Sequence, residues 1–133
     1  MNVSEIESYI EKAKKYLKTA NHLLEYGDYD SSVSRAYYSM YYSTRAILLS
    51  KDLTPKTHSG LLSLFGKYFI KSDILPKKLA KYLRKGFEAR LLGDYNVSVR
   101  IQKENAQDLI KNTKRFNDAI LDYLREKSII SNL

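Results

Sequence analysis

Apolar side chains recur at steps of three and four residues through nearly the whole 133-residue chain. This spacing places them along one side of an α-helix, which turns once every 3.6 residues. No useful length of sequence alternates apolar and polar residues with the two-residue period of a β-strand. The sequence therefore predicts an all-α fold, an antiparallel up-and-down helical bundle of four long helices plus a shorter one.

Turn-forming and capping residues divide this pattern into five expected helices. Gly27-Asp28 is expected to end the first helix, and Asp30, Ser31 or Ser32 to cap the second. The predicted ranges are about 3–26, a second ending at about 50, a third starting at 57 or 58, about 77–92 and about 102–127. We expect residues 1–127 to form one domain and residues 128–133 a short C-terminal tail.

The fourth and fifth expected helices each carry a clear apolar stripe. Gly93-Asp94 is expected to end the fourth helix. Its predicted buried residues are Leu79, Leu83, Phe87 and Leu91. Those of the fifth are Ala106, Leu109, Ile110, Thr113, Phe116, Ile120 and Leu124.

The second expected helix differs because it is apolar nearly all round and carries four tyrosines in six positions, Tyr37 to Tyr42. Such a helix lies at the centre of a bundle, or has one face on the bundle and another on a partner chain. Arg35, Tyr38, Tyr42 and Arg45 follow one another at threes and fours. They are candidates for stacking and hydrogen bonding a nucleotide, and the alternative is a core or dimer surface.

The composition excludes several kinds of chemistry. There are no cysteines, and the two histidines, His22 and His58, are far apart, so we expect neither a disulfide nor a metal site nor a cofactor. Phosphate-cradling glycine loops and the common hydrolase and zinc motifs do not occur. No apolar stretch approaches the roughly 20 residues of a membrane helix, so we expect a cytoplasmic protein that does not enter a membrane.

The net charge of +8 is concentrated in one segment. Between residues 67 and 90, eight basic side chains face two acidic ones, which is +6 of the total. A localised basic surface attracts polyanions, although a run of lysines is often only a solubilising face. The candidate nucleic-acid-binding residues are Lys77, Lys78, Lys81, Arg84 and Lys85.

Two shorter features are open to two interpretations each. His58 lies at a predicted helix start, where free N–H groups favour an anion, or it caps and orders the loop. The segments 27–35 and 93–100 resemble one another as GDYDSSVSR and GDYNVSVR, which ordinary turn chemistry also explains.

Three segments in order resemble the small stand-alone prokaryotic proteins of the HEPN domain family. They are LLEYGDYDSSVSRAYYSMYYSTRAILLSK at 23–51, KTHSGLLSLFGKYFI at 56–70 and LPKKLAKYLRKGFEARLLGDYN at 75–96. The resemblance implies a helical homodimer that commonly acts with a minimal nucleotidyltransferase partner in a toxin and antitoxin arrangement. Active members of the family cleave RNA without a metal, through an Arg followed after four to six residues by a His.

The sequence departs from that motif. No Arg lies five to seven positions before His22 or His58, and the nearest match pairs Arg90 with Tyr95 where the histidine would be. A tyrosine, with an ordinary pKa near 10, is a poor general base at neutral pH. Arg90 and Tyr95 are thus weak catalytic candidates. Alternatively, Arg90, Asp94 and Tyr95 form a ligand or dimer-interface cluster, unless Arg90 only pairs with a carboxylate and orders the turn.

The leading hypothesis is a HEPN-type homodimer that lacks the usual ribonuclease motif and binds RNA, a nucleotide or a nucleotidyltransferase partner. One alternative is a metal-independent endoribonuclease with Arg90 and Tyr95 as its variant pair. A second alternative is a protein-interaction module, since part of the sequence between Leu23 and Ile47 imitates a tetratricopeptide repeat.

Overall fold

A computed structural model describes residues 1–98 and 100–131, and every described element is helical. The third α-helix continues directly into a π-helical segment, Gly66–Ile70. The α-helices are α1 (Val3–Tyr26), α2 (Tyr29–Leu49), α3 (His58–Phe65), α4 (Lys77–Tyr95) and α5 (Lys103–Glu126). The predicted all-α bundle of four long helices plus a shorter one is confirmed.

The first turn follows the expected chemistry with a shift of two residues. Gly27 ends α1 in the left-handed region, at φ 98°, where a residue with a side chain would be strained. Asp28 rather than a residue at 30–32 caps α2, because its carboxylate accepts the Ser31 N–H at 3.1 Å. The predicted cap was therefore wrong, and α2 begins at Tyr29.

The expected stop at Gly93-Asp94 is also wrong, because α4 runs through both residues to Tyr95. A Cβ at Gly93 would lie 3.4 Å from the backbone oxygen of Asp30, at the start of α2. A Cβ at that distance would make ordinary van der Waals contact, so α4 passes close to the start of α2 here. The resembling segments at 27–35 and 93–100 meet here, and together they line a cavity of about 460 Å³.

Helix α4 buries Leu79 and Leu83 as expected, but Phe87 is only half-buried and Leu91 is not buried. Leu91 is 38% exposed, whereas Arg90 is buried. Repeated steps of four residues drift by about 40° each against the 3.6-residue turn, so a stripe from Leu79 to Leu91 rotates out of the core. The line through Leu79, Leu83, Gly86 and Arg90 alternates steps of four and three and stays on the buried side.

Helix α2 lies at the centre of the bundle and contacts α1, α4 and α5. Tyr37 is fully buried, and Tyr38, Tyr41 and Tyr42 are half-buried. A helix enclosed on three sides differs from a tetratricopeptide pair, whose helices stack on neighbouring pairs. The tetratricopeptide alternative is therefore not supported.

Helix α5 packs as the sequence predicts, since all seven residues of its expected stripe are buried. Beyond it, Ile130 packs against the core although it lies in the expected tail, whose last two residues fall outside the described part of the chain. Within the described residues, no helix combines the length and hydropathy that crossing a membrane requires.

A polar network joins three helices inside the core. The Ser39 hydroxyl donates to the Ala13 carbonyl of α1 at 2.6 Å, and the Ser43 hydroxyl donates to Asn117 Oδ1 of α5 at 2.7 Å. Asn117 Nδ2 then donates to Ser39 Oγ at 2.8 Å. This core network is closed, because its short hydrogen bonds end on one another or on backbone.

Candidate functional site

The start of α3 places His58 against the tyrosines of α2. Thr57 caps the helix by accepting the Gly60 N–H at 2.9 Å, so the cap expected of His58 is supplied by its neighbour. The half-buried imidazole lies 5.0 Å from the Tyr41 ring and stacks on Phe87 of α4 at 5.6 Å and 19°. It is thus fixed between two helices.

Arg90 reaches the same place from α4, and its side chain is only 9% exposed. Nη1 donates to the Tyr38 hydroxyl at 3.0 Å, and Nη2 donates to the Tyr95 hydroxyl at 3.4 Å. Nη1 also lies 3.5 Å from His58 Nε2. We call Tyr38, His58, Arg90, Asp94 and Tyr95 the Arg90 cluster.

The charge of Arg90 is balanced, but its hydrogen-bonding capacity is not filled. Asp94 Oδ2 lies 3.5 Å from Nε, within range of an ion pair. The geometry falls short of a hydrogen bond, and among the described residues this buried Nε–H has no acceptor. Because an unmade bond on a buried charged donor costs stability, the arrangement points to a binding role rather than to a purely structural one.

The neighbours of His58 define its protonation. Burial first, and the Arg90 charge second, hold the pKa of His58 below its ordinary 6.5, so the ring is neutral at pH 7. Arginine has only donors, so the tautomer that complements Arg90 leaves Nε2 unprotonated, with its lone pair towards Nη1. Nδ1–H then donates to the Tyr37 hydroxyl oxygen, 2.6 Å away.

The Tyr37 hydroxyl remains protonated in this position. Burial raises its pKa well above 10, and the nearby Arg90 charge opposes that rise only in part. A neutral imidazole nitrogen thus lies beside a guanidinium and among phenol hydroxyls. These groups are able to accept a proton and to stabilise negative charge on a phosphate.

Spacing along the chain does not reveal this pairing of an arginine with a histidine. His58 and Arg90 are 32 residues apart and meet only through the packing of α3 on α4. Tyr95, which stands where the family motif has histidine, is 71% exposed; its hydroxyl accepts from Arg90, and its ring lies 5.7 Å from the guanidinium. In the sequence, His58 and Arg90 were indicated only separately, because they belong to two different segments of the family resemblance, 56–70 and 75–96.

The remaining members of the predicted α2 face lie outside the Arg90 cluster. Arg35 is exposed over the Tyr16 ring at 5.2 Å, and lines a cavity of about 340 Å³ beside the cluster. Arg45 donates to the hydroxyls of Tyr9 and Tyr41 at 3.0 and 3.1 Å. Tyr42 meets Tyr16 edge-on at 5.3 Å. Of the predicted face, only Tyr38 thus belongs to the Arg90 cluster. The other three residues mainly contact the helices that pack against α2.

The predicted basic face of α4 is exposed, but it is divided between two grooves. Arg84 lines a groove against α3 and the π-helical segment. Lys85 lines another groove, against α5. Lys77, Lys78 and Lys81 lie on the exposed first turns of the helix.

Comparison with known proteins gives a family. The HEPN domain model matches residues 6–124. The chain is 40% identical to the protein called "Putative toxin MJ0142" of Methanocaldococcus jannaschii, over 95% of this chain and 86% of that protein. It is 38% identical to a UPF0332 protein of Thermotoga maritima, over 86% of this chain and 87% of that protein.

A solved structure shares the fold. The protein TT1696 from Thermus thermophilus superposes with a TM-score of 0.75, covering 88% of this chain and 96% of that one, at 15% identity. The sequence comparisons and the fold comparison thus each find similar proteins over most of this chain. The family resemblance expected from the three segments is confirmed.

Proposed function

The chain belongs to the HEPN domain family, and we propose that it is a toxin-like member that binds and cleaves RNA at the Arg90 cluster. The observation that carries this proposal is the 3.5 Å contact between Arg90 Nη1 and His58 Nε2. A base and a cation side by side are what cleavage next to a ribose 2′-hydroxyl requires. The name of the Methanocaldococcus relative supports the toxin-like role.

The proposed reaction uses the two side chains in different ways. When Arg90 Nη1 turns from His58 Nε2 to the phosphate, the freed Nε2 lone pair accepts the proton of the 2′-hydroxyl, and O2′ attacks the adjacent phosphorus. The new P–O2′ bond forms as the P–O5′ bond breaks, which leaves a 2′,3′-cyclic phosphate, and the departing O5′ takes a proton from solvent. Arg90 donates to the phosphate oxygens, because it supplies the positive charge of the cluster and its buried Nε–H has no acceptor among the described residues.

Cleavage of a labelled single-stranded RNA in the presence of EDTA tests this function. We expect cleavage by the unaltered protein and none of a strand that carries 2′-deoxyribose at every position, because the nucleophile is then missing. Arg90→Ala and His58→Gln should each reduce the rate by about a hundredfold or more. The matched control is His22→Gln, since His22 is exposed on α1.

Two outcomes would contradict the proposal in different ways. Cleavage that survives both Arg90→Ala and His58→Gln would identify a contaminating nuclease. RNA that binds the Arg90 cluster but is never cut would reduce the function to the non-catalytic RNA binding that the sequence favoured.

We further propose that the protein acts in the cytoplasm as a homodimer, restrained by a minimal nucleotidyltransferase partner. The support is an exposed apolar surface beside the cluster, formed by Leu91, Leu92, Tyr95 and Val97. A surface of this kind is normally covered in solution. Leu92→Glu is expected to halve the mass measured by light scattering. A dimer mass that is unchanged in this variant would show that the two copies meet at another surface.

A further inference from the structure

A groove of about 810 Å³ lies beside the Arg90 cluster, between α4 on one side and α3 with its π-helical segment on the other. Three exposed cations line it, Lys67, Lys71 and Arg84, and Glu88 is the acidic side chain among its lining residues. The hydroxyls of Ser59 and Ser63 lie along the same wall. The groove therefore combines positive charge with hydrogen-bond donors, the pattern that holds a phosphate backbone.

The π-helical segment contributes Lys67, and Lys71 directly follows its last residue. Its wide turn is closed by the Lys71 N–H, which donates to the Gly66 carbonyl at 2.8 Å. Gly66 has open space where a Cβ would lie, so this wall is not crowded. π-Helical turns interrupt regular helices at some cost and are frequent at functional sites. Here the turn brings both lysines to the groove that Arg84 lines from α4.

The groove and the Arg90 cluster share one aromatic ring. Phe87 lines the groove, and its ring also stacks on the His58 imidazole at 5.6 Å. The Arg90 guanidinium lies 6.0 Å from the same ring. Ser59, the residue after His58, belongs to the groove wall. A strand lying in the groove thus reaches the cluster across the width of one side chain.

We propose that this groove holds the backbone of single-stranded RNA on one side of the bond that is cut, with its phosphates against Lys67, Lys71 and Arg84. This assignment rests on the RNA-directed function proposed above and gives that function a binding path. A single strand fits because its backbone is able to bend into a groove that ends at a recessed cluster. A duplex keeps its phosphates on the fixed path of the A-form helix.

The chain supplies a matched control for the groove. Lys85 follows Arg84 on the same helix and is also exposed, but it lines the groove against α5, with Asp108 and Arg115. Arg84→Glu and Lys85→Glu change the net charge equally. They differ in which groove loses a cation, so a general effect of charge and a specific effect of the groove are separable.

Binding is measured by fluorescence anisotropy with a 2′-O-methyl single-stranded oligonucleotide, which has no free 2′-hydroxyl to attack. At about 50 mM salt, Arg84→Glu is expected to weaken binding roughly tenfold or more, and Lys85→Glu less than about threefold. The slope of log affinity against log salt should fall by about 0.7 for each phosphate that the variant no longer neutralises. Lys71→Glu should behave as Arg84→Glu does.

A footprint checks the placement directly. The sequence has no cysteine, so Ser63→Cys and Asn112→Cys each introduce a single thiol, one in each groove. Saturating oligonucleotide is expected to slow alkylation of the thiol at position 63 markedly, because the bound strand covers it. Alkylation at position 112 should be unchanged.

The outcomes separate the groove from the function on which it rests. Equal losses in Arg84→Glu and Lys85→Glu, or equal protection of the two thiols, would overturn the groove while RNA binding at the cluster stands. No binding by the unaltered protein at the same low salt would overturn the proposed function and the groove with it. Binding that is lost selectively in Arg84→Glu, with protection at position 63 alone, supports the groove.

Discussion

Two groups of polar side chains are buried in this bundle, and their hydrogen bonds are completed to different degrees. In the core network, Ser39, Ser43 and Asn117 are neutral, and their mutual bonds measure 2.7 and 2.8 Å. In the Arg90 cluster the contacts of the guanidinium range from 3.0 to 3.5 Å, and Nε makes no hydrogen bond to any residue of the described ranges. The hydrogen bonds of the core network are thus complete, whereas those of the Arg90 cluster are not.

This difference fits a structural role for the core network and the binding role proposed for the Arg90 cluster. Each bond of the core network joins two helices, so its free energy stabilises the packing of α1, α2 and α5. Arg90 is buried beside one partly exposed carboxylate, Asp94, and keeps donor capacity unused. A buried charge in that state contributes little to stability and much to the binding of an anion.

The largest effect is expected from breaking the core network. Asn117→Ala removes two hydrogen bonds and leaves the Ser43 hydroxyl buried without its acceptor. We expect the free energy of unfolding to fall by about 2–4 kcal/mol and the melting temperature by roughly 10 °C. Circular dichroism on heating measures it, with the less buried Asn112→Ala as control. A melting temperature like that of the unaltered protein would show that the network does not hold the helices.

The opposite result is expected at Arg90. Arg90→Met removes the desolvated charge and keeps most of the side-chain volume, and Asp94 is already partly exposed, so the free energy of unfolding should change by less than about 1 kcal/mol. Affinity for the 2′-O-methyl oligonucleotide should fall roughly 30-fold, which corresponds to about 2 kcal/mol. Arg90→Lys should recover only part of this, because an ammonium lacks the planar fork. A loss of stability with an unchanged affinity for the oligonucleotide would show that the Arg90 cluster is structural, like the core network.

The sequence predicted the helices well because their apolar spacing is a local property. Its errors on α4 have physical causes. The stripe ending at Leu91 ignored the drift of repeated four-residue steps, and the stop at Gly93 ignored that a glycine also occurs inside a helix, here where α4 passes close to Asp30. Neither error changed the fold, because the apolar face of α4 was still placed on α2.

The site was less predictable than the fold because it is assembled from distant segments. Arg90, Asp94 and Tyr95 were singled out together because they are neighbours in sequence. His58 was noted separately, and no spacing rule joins a residue of α3 to one of α4 without the packing between them. Burial of the Arg90 charge was equally hidden, since arginine in a helix normally faces solvent.

A smaller effect, and a dependence on pH, is expected at His58. Burial and then Arg90 keep its pKa in the folded protein below 6.5. Below pH 6.5 the unfolded chain therefore binds the proton more readily than the folded protein, so stability is present above that pH and is lost as the pH falls. The urea midpoint should decline more between about pH 7.5 and 5.5 in the unaltered protein than in His58→Gln. An equal decline in both, with His22→Gln as reference, would remove His58 as the cause.

The smallest effect is expected from Tyr95→Phe, which removes only the hydroxyl that accepts from Arg90 Nη2 at 3.4 Å. Because this ring is largely exposed, water replaces the lost acceptor, and the free energy of unfolding should change by less than about 0.5 kcal/mol. If His58 is the base, RNA cleavage should fall no more than roughly threefold. A loss of cleavage as large as that in His58→Gln would instead show that Tyr95, paired with Arg90 as the sequence suggested, carries out the proton transfer. His58 would then only position Arg90.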